Sequence, residues 1–329
     1  MKKIAIVGAG FSGLGLCYHL LKEEGEKEIT VFDGKGVGGG ASGIASGLLH
    51  PFPGESARFS WKGREAMAAT LELLRLVGPE VYKETGLLKL ALTDKQQKAL
   101  RERAEKEADI EWWDEKRCLA SIPGGRAFPG IFIRSGVTVH AALYLKGLWE
   151  VCERLGAQLA REDVDLEDLG GFDQVVLCAG AGIRRFGLDL PIKCNKGHVL
   201  ITKKPSYWTL KSSLIGKGYL ALSENEEICY LGSTYEQEYV TETPCLGIAT
   251  DLIFKQVDAY LSSYGAFEVL GCKAEMRVVN RKRYHPIVGE VQPGVFVITA
   301  MGSRGLLYHS YLGRALAMQM CARVLEEVS

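Results

Sequence analysis

Apolar positions fall into two periodicities along the chain. Ile4–Val7 is a short continuous apolar run, the pattern of a strand buried on both faces of a parallel sheet. Leu14, Cys17, Tyr18 and Leu21 then recur at helical spacing, predicting a helix over 11–24 stopped near Gly25. A second apolar strand, Ile29–Phe32, is closed by Asp33, and a glycine-rich stretch (34–47) separates it from a predicted helix near 61–77. Thr93 and Gln96 form a capping-box start to a strongly polar helix over 94–107 with almost no core face. Leu145, Leu148, Trp149, Cys152 and Leu155 mark an amphipathic helix within 139–155, stopped by Gly156.

Farther along, FDQVVLCAGAG (172–182) is a buried strand running into a small-residue turn. Segments 197–202, 218–222 and 228–232 have strand character, with one helix expected near 251–264 and ended by Gly265. VFVIT (295–299) leads through MGSRG (301–305) into a last helix reaching about 327. With 329 residues, the length suggests about two domains. The expected fold class is α/β, a Rossmann-type nucleotide-binding domain beside a second, mixed-sheet α+β domain for the substrate. Residues 1–84, 136–190 and 273–329 are assigned to the first; residues 85–135 and 191–272 form the second.

Forty Lys+Arg balance forty Asp+Glu, which argues against a dedicated nucleic-acid binder. A 47% apolar and 24% charged composition excludes a disordered chain. Nine cysteines are scattered without a C-x-x-C pair, the pattern of reduced thiols in a cytosolic protein rather than a disulfide framework or zinc site. No metal site is expected. No run of 18 apolar residues exists to span a membrane. The opening lysines and apolar run lack a small-residue cleavage site, so a cytoplasmic location is expected.

Gly8-Ala9-Gly10-Phe11-Ser12-Gly13 is a G-x-G-x-x-G turn between the first strand and first helix, with Asp33 twenty residues beyond Gly13. Gly8 permits the tight turn, Gly10 lets a pyrophosphate approach the backbone, and Gly13 lets helix and strand pack closely. Free amides at the helix start meet phosphate charge, and Asp33 is placed to accept from a ribose. This constellation predicts dinucleotide binding.

Four stretches resemble the D-amino acid oxidase superfamily of flavoproteins, and within it the flavin oxidase domain of bifunctional tRNA wobble-uridine-modifying enzymes. They are the fingerprint with Asp33, GGGASGIASGLLHP (38–51), DQVVLCAGAG (173–182) and MGSRGL (301–306); PIVG (286–289) is similar to the family's P-x-x-G strand. They span the chain in the family's order. The resemblance implies FAD as cofactor. Its contact positions are Gly8, Gly10, Phe11, Ser12, Gly13, Asp33, Ala41, Ser42, Gly43, Gly47, Leu48, Val164, Ala179, Gly180, Gly302, Ser303, Arg304, Gly305 and Leu306. A cysteine near the PIVG-type strand anchors the flavin in sarcosine oxidase relatives; Cys272 precedes Arg277 and does not match, so non-covalent FAD is expected. In the family the last helix start faces the flavin's pyrimidine edge, where its dipole favours negative charge.

The resemblance also implies an arginine for the substrate carboxylate, with Arg277 the first candidate and Arg281, Arg283 and Arg304 as alternatives. His50 is a candidate near the flavin or else a core histidine; His198 and Tyr219, Tyr235 and Tyr308 carry no assignment. The implied reaction is oxidation of a C–N bond of an amino acid or secondary amine by hydride transfer to flavin N5, then imine hydrolysis. The expected partner is a small amine or amino acid, not nucleic acid, with the electron acceptor open. The alternatives are a tRNA wobble-uridine oxidase, a non-catalytic flavin-fold binding protein, and a disulfide reductase, the last disfavoured because C-x₄-C and a second G-x-G-x-x-G are lacking.

Overall fold

The computed structural model describes residues 1–283 and 285–327, with side chains described through Ala322 apart from Tyr284. A six-stranded sheet forms the first layer. Its order is Ile287–Gln292, Val295–Thr299, Gln174–Leu177, Lys2–Val7, Lys27–Phe32 and Gln158–Ala160. All neighbours pair parallel except the first two, which form a hairpin. The largely apolar runs 4–7, 29–32 and 175–177 lie here because helices and loops cover both faces. On one face, helices Phe11–Lys22, Gly63–Val77, Ala141–Arg154 and Gly305–Glu327 enclose a core of Ile4, Ile6, Leu14, Leu74, Tyr144, Leu148 and Leu316. On the other, Ala5, Val7, Val175, Leu177, Ile183 and Phe186 pack together.

The second layer is an eight-stranded mixed sheet. It runs Glu268–Asn280, Ile192–Lys203, Ile228–Gly232, Tyr219–Leu222, Ser213–Ile215, Leu87–Leu90, Gly130–Ile133 and Ile110–Trp113. Glu268–Asn280 passes through the expected boundary at 272/273 and pairs along nearly the whole of Ile192–Lys203. Helix Leu246–Val257 covers the outer face, where Ala249, Ile253 and Val257, spaced one turn apart, are fully buried with Leu200, Leu220 and Leu231. This corrects the helix expected at 251–264. The chain leaves the helix at Asp258 to bury Tyr260 and Leu261, and Gly265 sits in a separate turn, Tyr264–Ala266. The polar helix Asp94–Lys106 buries only Leu100, as its composition requires.

A small third sheet, Leu48–Leu49, Val137–Val139 and Tyr82–Lys83, ties the glycine-rich segment to the first layer. Among the described residues, no helix is long and apolar enough to cross a membrane.

Candidate active site

The nucleotide-type turn is built as its glycines require. Gly8 has φ +112°, and a Cβ there would sit 2.4 Å from the Cys178 carbonyl oxygen. A Cβ on Gly13 would lie 1.8 Å from the Gly8 carbonyl oxygen, so only glycine lets this helix meet its strand. Gly10 caps the helix without a side-chain bond, and the first turn carries no acidic residue. Asp33 accepts from the Ala9 amide (2.8 Å) and the Lys35 amide (2.9 Å), bracing the turn from the end of the second strand. Ser42 accepts from the Phe11 amide at 3.1 Å, bringing the A-S-G segment to the helix start.

A groove of about 610 Å³ opens along this turn, within the range of small-molecule sites. Gly8, Gly10, Asp33, Ala41, Ser42, Val164, Ala179 and Gly180 line it. Phe11 turns its ring into the core against Tyr144 and His309, while its amide is the one that donates to Ser42. Ser12 and Gly13 lie within the helix behind the turn. Gly43 borders a smaller adjoining cavity. Gly47, at φ +70°, packs where a Cβ would be 1.7 Å from the Val139 carbonyl oxygen, and Leu48 begins the third sheet. The cradle fits an extended anionic dinucleotide: bare backbone at Gly10, helix amides without acidic neighbours, and an acid at the far edge. Three ion pairs among lining residues went unread in the sequence: Lys35–Glu275 at 3.1 Å, Arg184–Glu242 at 2.8 Å and Arg185–Asp163 at 3.3 Å.

The second sheet brings other groups toward the glycine-rich segment. Gly232 pairs with Tyr219, and a Cβ on Gly232 would be 2.6 Å from the phenol oxygen. Tyr219 therefore lies across bare backbone, where its hydroxyl accepts from Ser46. Burial pushes its pKa up, against the opposing pull of the Ser46 hydrogen bond and the Arg277 charge. Arg277 in turn lies over Gly197, and its Nη1 donates to the Thr234 carbonyl at 3.1 Å. Of the four candidate arginines, Arg281 and Arg283 are exposed in the turn after the strand. Arg304 is half-buried, its guanidinium 5.6 Å from the Tyr308 ring centre. Gly302 (φ +57°), Ser303 and Arg304 form one turn leading into the last helix at Gly305, where Leu306 is buried.

His50 accepts from the Phe52 amide through Nδ1 at 3.2 Å. Burial, aided by the neighbouring Lys89 ammonium, pushes its pKa down to about 3, so it is neutral at pH 7. His198 belongs to a histidine–carboxylate pair that sequence reading missed. Its Nδ1 is 2.7 Å from Glu236 and its Nε2 accepts from the Cys245 amide at 3.0 Å. Both nitrogens are committed and the side chain is fully buried, which makes the pair a strap for the loop after Gly232 rather than an available base.

Residues 3–319 match the model of the FAD dependent oxidoreductase family, DAO. The chain belongs to this family. No curated protein matches the chain by sequence. Solved structures similar to this FAD-dependent oxidoreductase share its fold at low identity. Iminodiacetate oxidase from Chelativorans sp. BNC1 superposes with TM-score 0.80 at 18% identity, over 97% of this chain and 95% of that one. Glycine oxidase from Bacillus cereus ATCC 14579 gives 0.81 at 16% identity, over 98% and 96%. Glycine oxidase from Geobacillus kaustophilus gives 0.80 at 20% identity, over 98% and 95%. In the FAD-dependent oxidoreductase, the groove beside Gly8–Gly13 is the place that fits the cofactor.

Proposed function

We propose that this FAD-dependent oxidoreductase oxidises a C–N bond of a small amine or amino acid that carries a carboxylate. One observation carries the reading: the Arg277 guanidinium, laid across bare backbone beside Tyr219 and spending a donor on the Thr234 carbonyl. A guanidinium has five N–H donors in a planar fork, so enough remain for two parallel bonds to a carboxylate. Iminodiacetate and glycine, in the names of two fold neighbours, each join an amine to a carboxylate.

FAD held in the groove along Gly8, Gly10, Asp33 and Ser42 would supply the two-electron acceptor for oxidation of the amine to an imine. This chain's residues bind and orient. Arg277 holds the carboxylate, and Tyr219, fixed by Ser46, limits where the α-carbon lies. A substrate arriving as the free amine gives up its hydride without a protein base, and water then hydrolyses the imine. The test is anaerobic mixing of the yellow protein with N-substituted glycines, D-amino acids and their uncharged amides. Bleaching by carboxylate-bearing amines is expected. A flavin that stays oxidised with every member of the panel overturns the reading.

A further inference from the structure

Lys89 is a buried cation with no role in the reaction outlined above. It sits in the strand Leu87–Leu90, 6% exposed, and its ammonium is met by carbonyls rather than by a carboxylate. It donates to Gly54, and to Phe52 at 3.4 Å. Burial lowers its pKa to about 8, with Glu55 opposing that shift. The pairing register explains how a strand remote in sequence reaches this turn. Lys89 lies opposite Ile215, Ile215 opposite Tyr219, and Tyr219 opposite Gly232. Residues directly opposite in a sheet share a face, so Lys89 and Tyr219 look the same way from strands about 10 Å apart.

Both side chains grip the same segment. Tyr219 takes Ser46 at one end; Lys89 takes the carbonyls of Phe52 and Gly54 at the other. His50 lies between the two anchors, and the amide it accepts from belongs to Phe52, the residue whose carbonyl Lys89 holds. An imidazole whose Nδ1 accepts an amide proton must, when neutral, carry its own proton on Nε2.

We propose that Lys89 is a positioning residue that fixes the 50–54 turn and so presents His50 as a neutral Nε2–H donor to an oxygen acceptor of the bound cofactor or substrate. His50 then cannot serve as the base for the amine. A buried lysine satisfied by carbonyls would by itself be only a structural clamp; the difference is that here the clamp sets the proton position on a neighbouring ring. The kinetic part of the claim rests on the amine-oxidation reading, whereas the tautomer does not.

The test is nitrogen-15 NMR of histidine-labelled, FAD-loaded full-length protein, with His50 assigned by the signal missing from His50→Gln. Expected in the unmodified protein is an unprotonated Nδ1 and protonated Nε2 from pH 5 to pH 7. Lys89→Met keeps the apolar stem and removes the ammonium; it should mix the tautomers and move the His50 titration upward, and Lys89→Arg should restore the single tautomer. If Lys89→Met does not fold, Lys89→Gln is measured in the same way, with the upward titration expected. A shift of the Nε2 proton on FAD loading assigns the acceptor to the cofactor, and one on adding acetate assigns it to the substrate; no shift with either overturns the donor role. In flavin reduction, Lys89→Met and His50→Gln should each cost about tenfold, and the double variant no more than either. His50 signals unchanged in Lys89→Met, or losses that multiply in the double variant, overturn the proposal. Should no amine reduce the unmodified protein's flavin, amine oxidation falls while the NMR arm still decides the role of Lys89.

Discussion

Arg277 lies flat over Gly197. A Cβ built on Gly197 would be 2.3 Å from Nη2 and 2.4 Å from Cζ of the guanidinium, so the side chain occupies the space that glycine leaves. Tyr219 stands in the same relation to Gly232. Gly197→Ala should push the guanidinium aside without breaking backbone packing, because the atoms it meets are the far end of a flexible side chain. The expected result is an unchanged FAD content with about a tenfold rise in the concentration of carboxylate substrate needed for half-maximal flavin reduction. Unchanged substrate dependence would detach Arg277 from binding.

Gly10 and Gly13 should fail in different ways. A Cβ on Gly10 meets only the Ser42 side chain, Oγ at 2.8 Å and Cβ at 3.4 Å, and Gly10 itself lines the groove. Gly10→Val should therefore give a folded but colourless protein, since the side chain takes the pyrophosphate's space. Gly13→Ala drives its methyl into the Gly8 carbonyl oxygen and should lower thermal stability itself. Flavin absorbance and melting of both purified variants check the contrast; a yellow Gly10→Val protein would reduce the motif to a turn.

The fingerprint was legible because strand, turn, helix and acid lie within 33 contiguous residues and each demands a particular residue type. The groove's other wall was not. Arg184, Glu242 and Glu275 reach it from separate segments, and nothing local distinguishes them from surface charges. Ser46 and Tyr219 are 173 positions apart, and with thirteen tyrosines in the chain only the sheet register singles out the one laid over Gly232. The misplaced helix at 251–264 has the same cause: buried Tyr260 and Leu261 continue the apolar spacing past the true end, where the chain turns inward.

Acid should destabilise the fold well above the pH at which carboxylates protonate. His309 is fully buried, its Nε2 2.7 Å from the Tyr144 hydroxyl and its Nδ1 2.8 Å from the Leu306 carbonyl. Burial pushes its pKa, and that of His19, down to about 4. Since the folded values lie below the unfolded one, the unfolded chain binds more protons; stability is complete above about pH 6.5 and falls toward pH 4. Each histidine should cost about 2 kcal/mol at pH 5 relative to pH 7. Urea midpoints across that window check this. His309→Gln should be less stable at pH 7 yet show a shallower acid limb.

FAD should be held without a covalent bond. Attachment through sulfur needs a thiolate, and Cys178, the cysteine lining the groove, is pushed by burial up to about 12. Cys272 is also raised by burial. Acid precipitation should release all the yellow colour to the supernatant. Colour retained in the pellet would contradict this.

Truncating Arg277 tests the carboxylate clamp directly. Arg277→Ala removes a charge-assisted fork at a residue that is not part of the groove lining, so its FAD spectrum should persist. A lost hydrogen bond to a charged group is worth about 1.5–3 kcal/mol, roughly a ten- to hundredfold loss in kcat/KM. Misplacement of the α-carbon adds to that loss. Because the clamp acts on the carboxylate, an amino acid should suffer while its uncharged amide, already lacking the contact, should not. Arg277→Lys should recover only part, since a point charge cannot reproduce the planar fork. The measurement is the flavin reduction rate against concentration for both substrates. Equal losses on the acid and the amide, or none on either, would move the carboxylate site away from Arg277, and half-buried Arg304 beside Tyr308 would be the next residue to truncate.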